Sequence, residues 1–273
     1  TQALRRLSQF AFFALILSAS VTHNLSAAEG ATASLDALCP FGGVETLWRW
    51  LTSGGQFVAK THLSNLVLAL GLLIGALAAG GAFCGWVCPF GFVQDGLAWA
   101  RARLRLPELR LLRFGRYLGL ALVLYQTIST VKLWFADYDP YRALFGLGWL
   151  FEFNLAEHWP AYAITGAVLA GSFFVERAWC RYLCPLGGLI SLLGNFSLLR
   201  IRRDAENCKA CAVCERPCPV KLNVATARTV SSDCIGCLAC VQACPRRRTL
   251  EVQLAPAWLP APKPRLDHTL AGD

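Results

Sequence analysis

Apolar and polar positions separate along this chain into long blocks rather than short amphipathic periods. An apolar stretch runs from Leu7 to Ala28, broken by His23 and Asn24 and preceded by Arg5 and Arg6. Leu63 to Phe83 is 21 residues without a charge. Tyr117 to Phe135 is a third block, with Lys132 near its end, where its stem can snorkel to an interface. Ala161 to Trp179 is a fourth, with Glu176 and Arg177 in its last turn. About twenty apolar residues cross ~30 Å of hydrocarbon as a helix, so the pattern predicts four transmembrane helices. The first block also fits a cleaved signal peptide, with a core from Phe10 to Leu17 and a small-residue site at Ser26-Ala27-Ala28. Its 22-residue length favours a span. The shorter run Leu189 to Leu199 predicts an interfacial helix, and the prolines 260, 262 and 264 predict an extended or disordered tail.

The segments between these blocks alternate in charge. The N-terminus, the 84–116 loop and the C-terminal region hold nearly all the Lys and Arg, while the other two loops hold only Arg49, Lys60 and Arg142. By the positive-inside rule both termini and the 84–116 loop are cytoplasmic, in a multi-pass protein of the inner (cytoplasmic) membrane. Trp48 and Trp50 suit an interface. Composition agrees: 55% of the 273 residues are apolar and 16% are charged, against about 25% charged in a soluble domain. The net charge of +9 is therefore a topology signal and not a nucleic-acid footprint.

Thirteen cysteines change the picture further. Cys208, Cys211, Cys214 and Cys218 precede Pro219, and Cys234, Cys237, Cys240 and Cys244 precede Pro245. Both runs read C-x2-C-x2-C-x3-C-P, the spacing of a two-cluster ferredoxin, in which the fourth Cys of each run ligates the other run's cluster. One [4Fe-4S] cluster is then assigned to Cys208, Cys211, Cys214 and Cys244, the other to Cys234, Cys237, Cys240 and Cys218. Zinc takes four ligands, commonly as two Cys pairs, and leaves the third Cys of each triplet unused. Disulfides need an oxidising compartment, against the topology.

Four more cysteines form a second repeat, Cys84-Gly-Trp-Val-Cys88-Pro-Phe-Gly and Cys180-Arg-Tyr-Leu-Cys184-Pro-Leu-Gly. Each closes an even-numbered span. If the span helix continues, Cys at i and i+4 share a face, and the following Pro ends the helix. Three readings stand: the sulfurs ligate a third metal centre of iron–sulfur type, they form two redox-active dithiols, or they pack at helix ends. Cys39 has no partner at that spacing and reads as packing. The fold expected is a mostly α membrane protein of four transmembrane helices in two pseudo-repeated hairpins, plus a small α+β two-cluster ferredoxin domain. The domains fall at residues 1–199, 200–250 and, for the tail, 251–273.

Spans followed twice by C-x3-C-P-x-G and then by the eight ferredoxin cysteines resemble the NapH/NosR/MauN family of membrane-bound 4Fe-4S proteins, over about residues 40–250. The resemblance implies an electron-transfer subunit of a larger oxidoreductase complex, between quinone or cytoplasmic donors and a membrane or extracytoplasmic redox partner. The alternative, ranked second, is a maturation factor that reduces or delivers a metal for another enzyme through the C-x3-C-P sulfurs. A redox sensor ranks last, because no output domain is recognised. A quinone would need a proton-handling group near an interface; His23, His62, Asp36, Glu45 and Asp139 are outer-side candidates and Glu176 the inner-side one. His23 with His62 is the sole pair that could ligate a haem, and the plain interfacial reading of these two residues is the better one.

Overall fold

Helix α1, Gln2–Leu25, inverts the usual amphipathicity. Its buried positions are Arg5, Gln9, Ile16 and Ser20, mostly polar and on one face, while Leu4, Leu7, Phe10 and Leu15 are exposed. Among the described residues it is the one helix both long and apolar enough to cross a membrane. The structure is a computed structural model and describes residues 1–25, 42–52, 63–108, 115–130, 135–151, 155–246 and 249–254.

The two cysteine repeats build two copies of one unit. In the first, α3 (Leu63–Ala79) turns at Gly80 into α4 (Ala82–Trp86), reaches Cys88 and enters α5 (Pro89–Arg103). Between the repeats lie α6 (Gly115–Thr130), α7 (Pro140–Phe145) and α8 (Gly148–Phe151). In the second, α9 (Leu155–Phe174) passes a π turn at Trp179–Leu183, reaches Cys184 and enters α10 (Pro185–Gly194). Cys88 (φ −63°, ψ 115°) and Cys184 (φ −62°, ψ 114°) have nearly the same backbone. Each is held extended by the Pro behind it, and that Pro, at the first helical position, starts the next helix with its fixed φ. Helices α3 and α9 do not run unbroken through the first Cys of each repeat. Left-handed residues interrupt them, Gly80 at φ 57° and Arg177 at φ 54°.

Packing crosses between the copies. Helix α5 lies against α1 and α9, and α10 lies against α6 and α3, so the helix after each motif packs on the long helix before the other motif. The loop expected after Cys88 is thus largely helix α5. The helix expected at the interface over 189–199 is instead α10, ending at Gly194 and buried at Pro185, Gly187, Gly188, Ile190, Ser191 and Gly194. Its small residues allow this: a Cβ on Gly188 would stand 3.1 Å from the Arg116 carbonyl of α6. Helix α2 (Gly42–Thr52) packs on α3.

The segment 135–147 folds back toward α1 and α9. Asp139 caps α7 by accepting the Tyr141 N–H at 3.0 Å, and Ser20 of α1 donates to the Phe145 carbonyl at 2.5 Å. The second module pairs β1 (Leu199–Arg203) antiparallel with β2 (Leu250–Leu254), Ile201 opposite Val252. This pairing runs to Leu254, past the expected boundary at 250. Its core gathers Ile201, Val220, Leu222, Val224, Val230, Ile235 and Leu250 around the cysteines.

Candidate redox centres

In each ferredoxin loop the residues flanking the middle cysteine are left-handed: Ala210 and Ala212 around Cys211, Gly236 and Leu238 around Cys237. This conformation curls three residues of spacing into a bowl and turns backbone N–H groups toward sulfur. Ala210 donates to Cys208 Sγ at 3.4 Å, and Gly236 donates to Cys234 Sγ at 3.4 Å. Leu222 likewise donates to Cys218 Sγ at 3.5 Å. For non-glycine residues the left-handed region costs about 1–2 kcal/mol each, so the loops hold strain where sulfur is presented.

Cys208, Cys211, Cys214 and Cys244 line one cavity of about 290 Å³. Three come from one run and Cys244 from the other. Cys218 lies within electrostatic reach of Cys234, Cys237 and Cys240. Among the described residues no group of Cys, His, Asp and Glu is drawn together as a single metal ion requires. Four sulfurs around one cavity wall make a donor set of the kind a multi-iron cluster takes.

Burial pushes the Cys234 and Cys240 thiols up to about 12. The half-buried Cys208 thiol is lowered, first by the Ala210 N–H and then by Arg203. Ligation requires thiolate, so a raised thiol retards loading at neutral pH and a lowered one favours it. In anaerobic reconstitution with iron and sulfide, the Cys208 site should fill ahead of the Cys234 site near neutrality. The lag should shrink as pH rises, read as separate EPR signals over time.

The two C-x3-C-P repeats converge. Cys84, Cys88, Cys180 and Cys184 all line one apolar cavity of about 230 Å³, with Phe12, Leu15 and Ile16 of α1, Leu68 of α3 and Phe90 of α5. All four are free thiols. Gln94, fully buried, donates to Cys180 Sγ at 3.1 Å, and the Gly187 N–H donates to Cys184 Sγ at 3.3 Å. The glycine closing each motif has a structural reason: a Cβ on Gly91 would stand 2.9 Å from the Cys84 carbonyl, and one on Gly187 3.1 Å from that of Cys180.

Asp139 and Tyr141 reach this same cavity, and Asp139 is buried. The sequence placed Asp139 on the side opposite the cysteines; the inward fold of 135–147 brings it to them. Glu176 is instead engaged by Lys221 at 3.1 Å, across the junction with the ferredoxin module. His23 sits in the last turn of α1. Glu45 lies on α2, and Asp36, Cys39 and His62 fall outside the described residues.

Two features of the junction were not read from the sequence. The turn carrying Cys84 lies directly on the Cys234 loop. A Cβ on Gly81 would stand 2.5 Å from the Cys234 carbonyl, and one on Gly85 would collide with that of Ile235. Trp86 donates to the Gly236 carbonyl at 2.9 Å, and Gln2 of α1 to that of Cys237 at 2.7 Å. A small pocket of about 30 Å³ is lined by Cys84, Cys180 and Cys234 together with Arg116 and Asp233. The second feature is the fully buried Arg177, which holds both Asp95 oxygens along one edge of its guanidinium, from Nε at 2.6 Å and Nη2 at 2.7 Å. The glycine in one repeat where the other has Arg181, and an acid in α5, were the available signals.

Residues 61–107 and 157–204 each match the family model described as a 4Fe-4S binding domain, and residues 200–245 match a 4Fe-4S dicluster domain. The ferredoxin-type protein NapH of Haemophilus influenzae is 33% identical over 171 residues, 60% of this chain and 58% of that protein. The methylamine utilization ferredoxin-type protein MauN of Methylobacillus flagellatus is 30% identical over 194 residues, 66% of this chain and 60% of its own length. The putative electron transport protein YccM of Escherichia coli is 29% identical over 238 residues, 81% of this chain and 64% of its own length. The chain thus spans less than two thirds of each of these relatives. No solved structure matches it.

Proposed function

Because the chain belongs to the NapH/NosR/MauN-like family of ferredoxin-type 4Fe-4S proteins, we propose that it is a membrane-bound electron-transfer subunit with three iron–sulfur centres in series. Clusters held at the three cysteine sets would each carry single electrons. The observation that carries this reading is the shared wall at Cys84 and Cys180. The two residues line both the apolar cavity and the small pocket that reaches Cys234. Cys84 also packs against the ferredoxin core. Sulfur thus follows sulfur from the helical half into the module, and Cys211 at the far end is exposed to a partner.

On this reading α1, α3, α6 and α9 cross the membrane. Leu70 and Ile74 on α3, Leu118, Leu122 and Ile128 on α6 and Ile164 on α9 stand exposed, as lipid-facing side chains would. The ferredoxin module and both termini lie on the cytoplasmic side, where thiols stay reduced. Phe12 and Leu15 belong both to the cavity wall and to the exposed face of α1, which gives a lipid-borne quinone an apolar approach to the cysteines. Asp139 is the group at that cavity suited to exchange a proton with it. Other redox subunits receive the electron at the Cys208 end.

Iron and acid-labile sulfide counted on anaerobically purified protein test this directly. About twelve irons per chain are expected, falling to about eight in a Cys84→Ser/Cys180→Ser double variant, with one EPR signal lost. A wild-type count of about eight, with copper bound stoichiometrically at the four C-x3-C-P thiols, would replace this reading with the metal-handling one.

A further inference from the structure

We propose that Arg177, balanced by Asp95, is a positioning residue whose fixed charge sets the reduction potentials of two centres together: the one at Cys84, Cys88, Cys180 and Cys184, and the one at Cys234, Cys237, Cys240 and Cys218. This rests on the three-centre reading above. A guanidinium stays charged at every accessible pH, and burying one is costly unless it is paired and fully hydrogen-bonded. Arg177 is fully buried and held on three sides. Nε and Nη2 donate to the two Asp95 oxygens, and Nη1 donates to the Cys84 carbonyl at 2.9 Å. Its backbone is left-handed, the strained turn that aims the side chain inward three residues before Cys180. The guanidinium packs over Gly91, where a Cβ would stand in ordinary contact, 3.5 Å from Nη2.

The guanidinium therefore touches the backbone of one cysteine set. It also lies within electrostatic reach of Cys237 in the other, as does Arg5, which pairs with Asp95 at 3.3 Å. Arg5, Arg177 and Asp95 leave one net positive charge between the two centres. Adding an electron to either centre adds negative charge, so this cation favours both reduced forms, and burial limits its screening. The Cys208 centre lies at the exposed end of the module, and no shift is expected there.

The test is an anaerobic redox titration of the full-length protein in detergent, with each centre followed by its own EPR signal and iron counted in parallel. Arg177→Gln should shift the reduced-to-oxidised ratio of both junction centres about tenfold toward oxidised at fixed potential, ~59 mV for a one-electron couple. Arg177→Lys, which keeps the charge, should stay near wild type. Asp95→Asn, nearly isosteric, should shift both centres toward reduced by a similar factor. It keeps the proposal testable where Arg177→Gln fails to assemble. A merely structural role would not give opposite signs for loss of the cation and loss of the anion. Shifts of the same sign, a shift at only one junction centre, or an equal shift at the Cys208 centre would overturn the proposal with the three-centre reading intact. Eight irons in the wild type would remove one of the two centres and overturn both.

Discussion

On the three-centre proposal, Gly85→Ala should leave every centre assembled yet cut electron delivery from the helical half to the Cys208 site. The added methyl has nowhere to go. Its position collides with the Ile235 carbonyl, a backbone atom in the loop that presents Cys234 and Cys237. Neither side can yield easily, because Gly85 lies between Cys84 and Cys88 and both loops are shaped around sulfur. Overpacking of this kind costs about 1–3 kcal/mol. Taken from the docked arrangement, that is a factor of about 5–150 in the docking equilibrium. Reduction of the Cys208 site by a lipid-phase quinol should slow by a factor in that range, while reduction by a soluble dithionite pulse should not change. Gly96→Ala on α5 is the control, since a Cβ there meets nothing within 4 Å and alanine favours helix. Equal quinol-driven rates in the two variants would show that the Cys84 turn is not the route.

How much of this was legible in the sequence differs from one part to the next. The ferredoxin loops were legible because ligand spacing is local. Three cysteines within seven residues need two left-handed residues between them, and the chain supplies these even as Ala210, Ala212 and Leu238. The repeat was legible for the same reason, and its two prolines hold Cys88 and Cys184 in one conformation. The packing of the repeats was not. Hydropathy marks blocks but not partners, so helices α5 and α10 read as a basic loop and an interfacial segment, although each is wedged against the opposite repeat. Arg177 read as a charge near a span end, where solvation is common; its partner Asp95 lies 82 residues away. Asp139 read as an outer-loop acid because its neighbours in sequence are acidic. A segment that turns back into the fold leaves no periodic trace to find.

Exchange of the fourth ligand gives the sharpest result expected of the ferredoxin module. Cys244→Ala should remove the signal that Cys208→Ala and Cys211→Ala remove, with about four irons lost, and spare the signal that Cys234→Ala removes. Sequence neighbours argue the opposite, since Cys244 follows Cys240 by four residues and ends the same run. The structure puts Cys244 on the wall of the Cys208 cavity, and Cys218 beside the Cys234, Cys237 and Cys240 thiols. Short α11 (Ala239–Ala243) and the 3-10 turn Val213–Glu215 produce the crossing by packing on each other, so each hands its last cysteine to the other loop. The two fourth-ligand variants should therefore differ in function as well as in spectrum. Cys218→Ala should break the path at the junction, and quinol should then reduce only the Cys84 centre. Cys244→Ala should let electrons reach the Cys234 centre and stop there, with no transfer to a soluble acceptor. If Cys244→Ala instead extinguishes the Cys234 signal, each run ligates its own cluster, and the exit through Cys208 no longer depends on both loops.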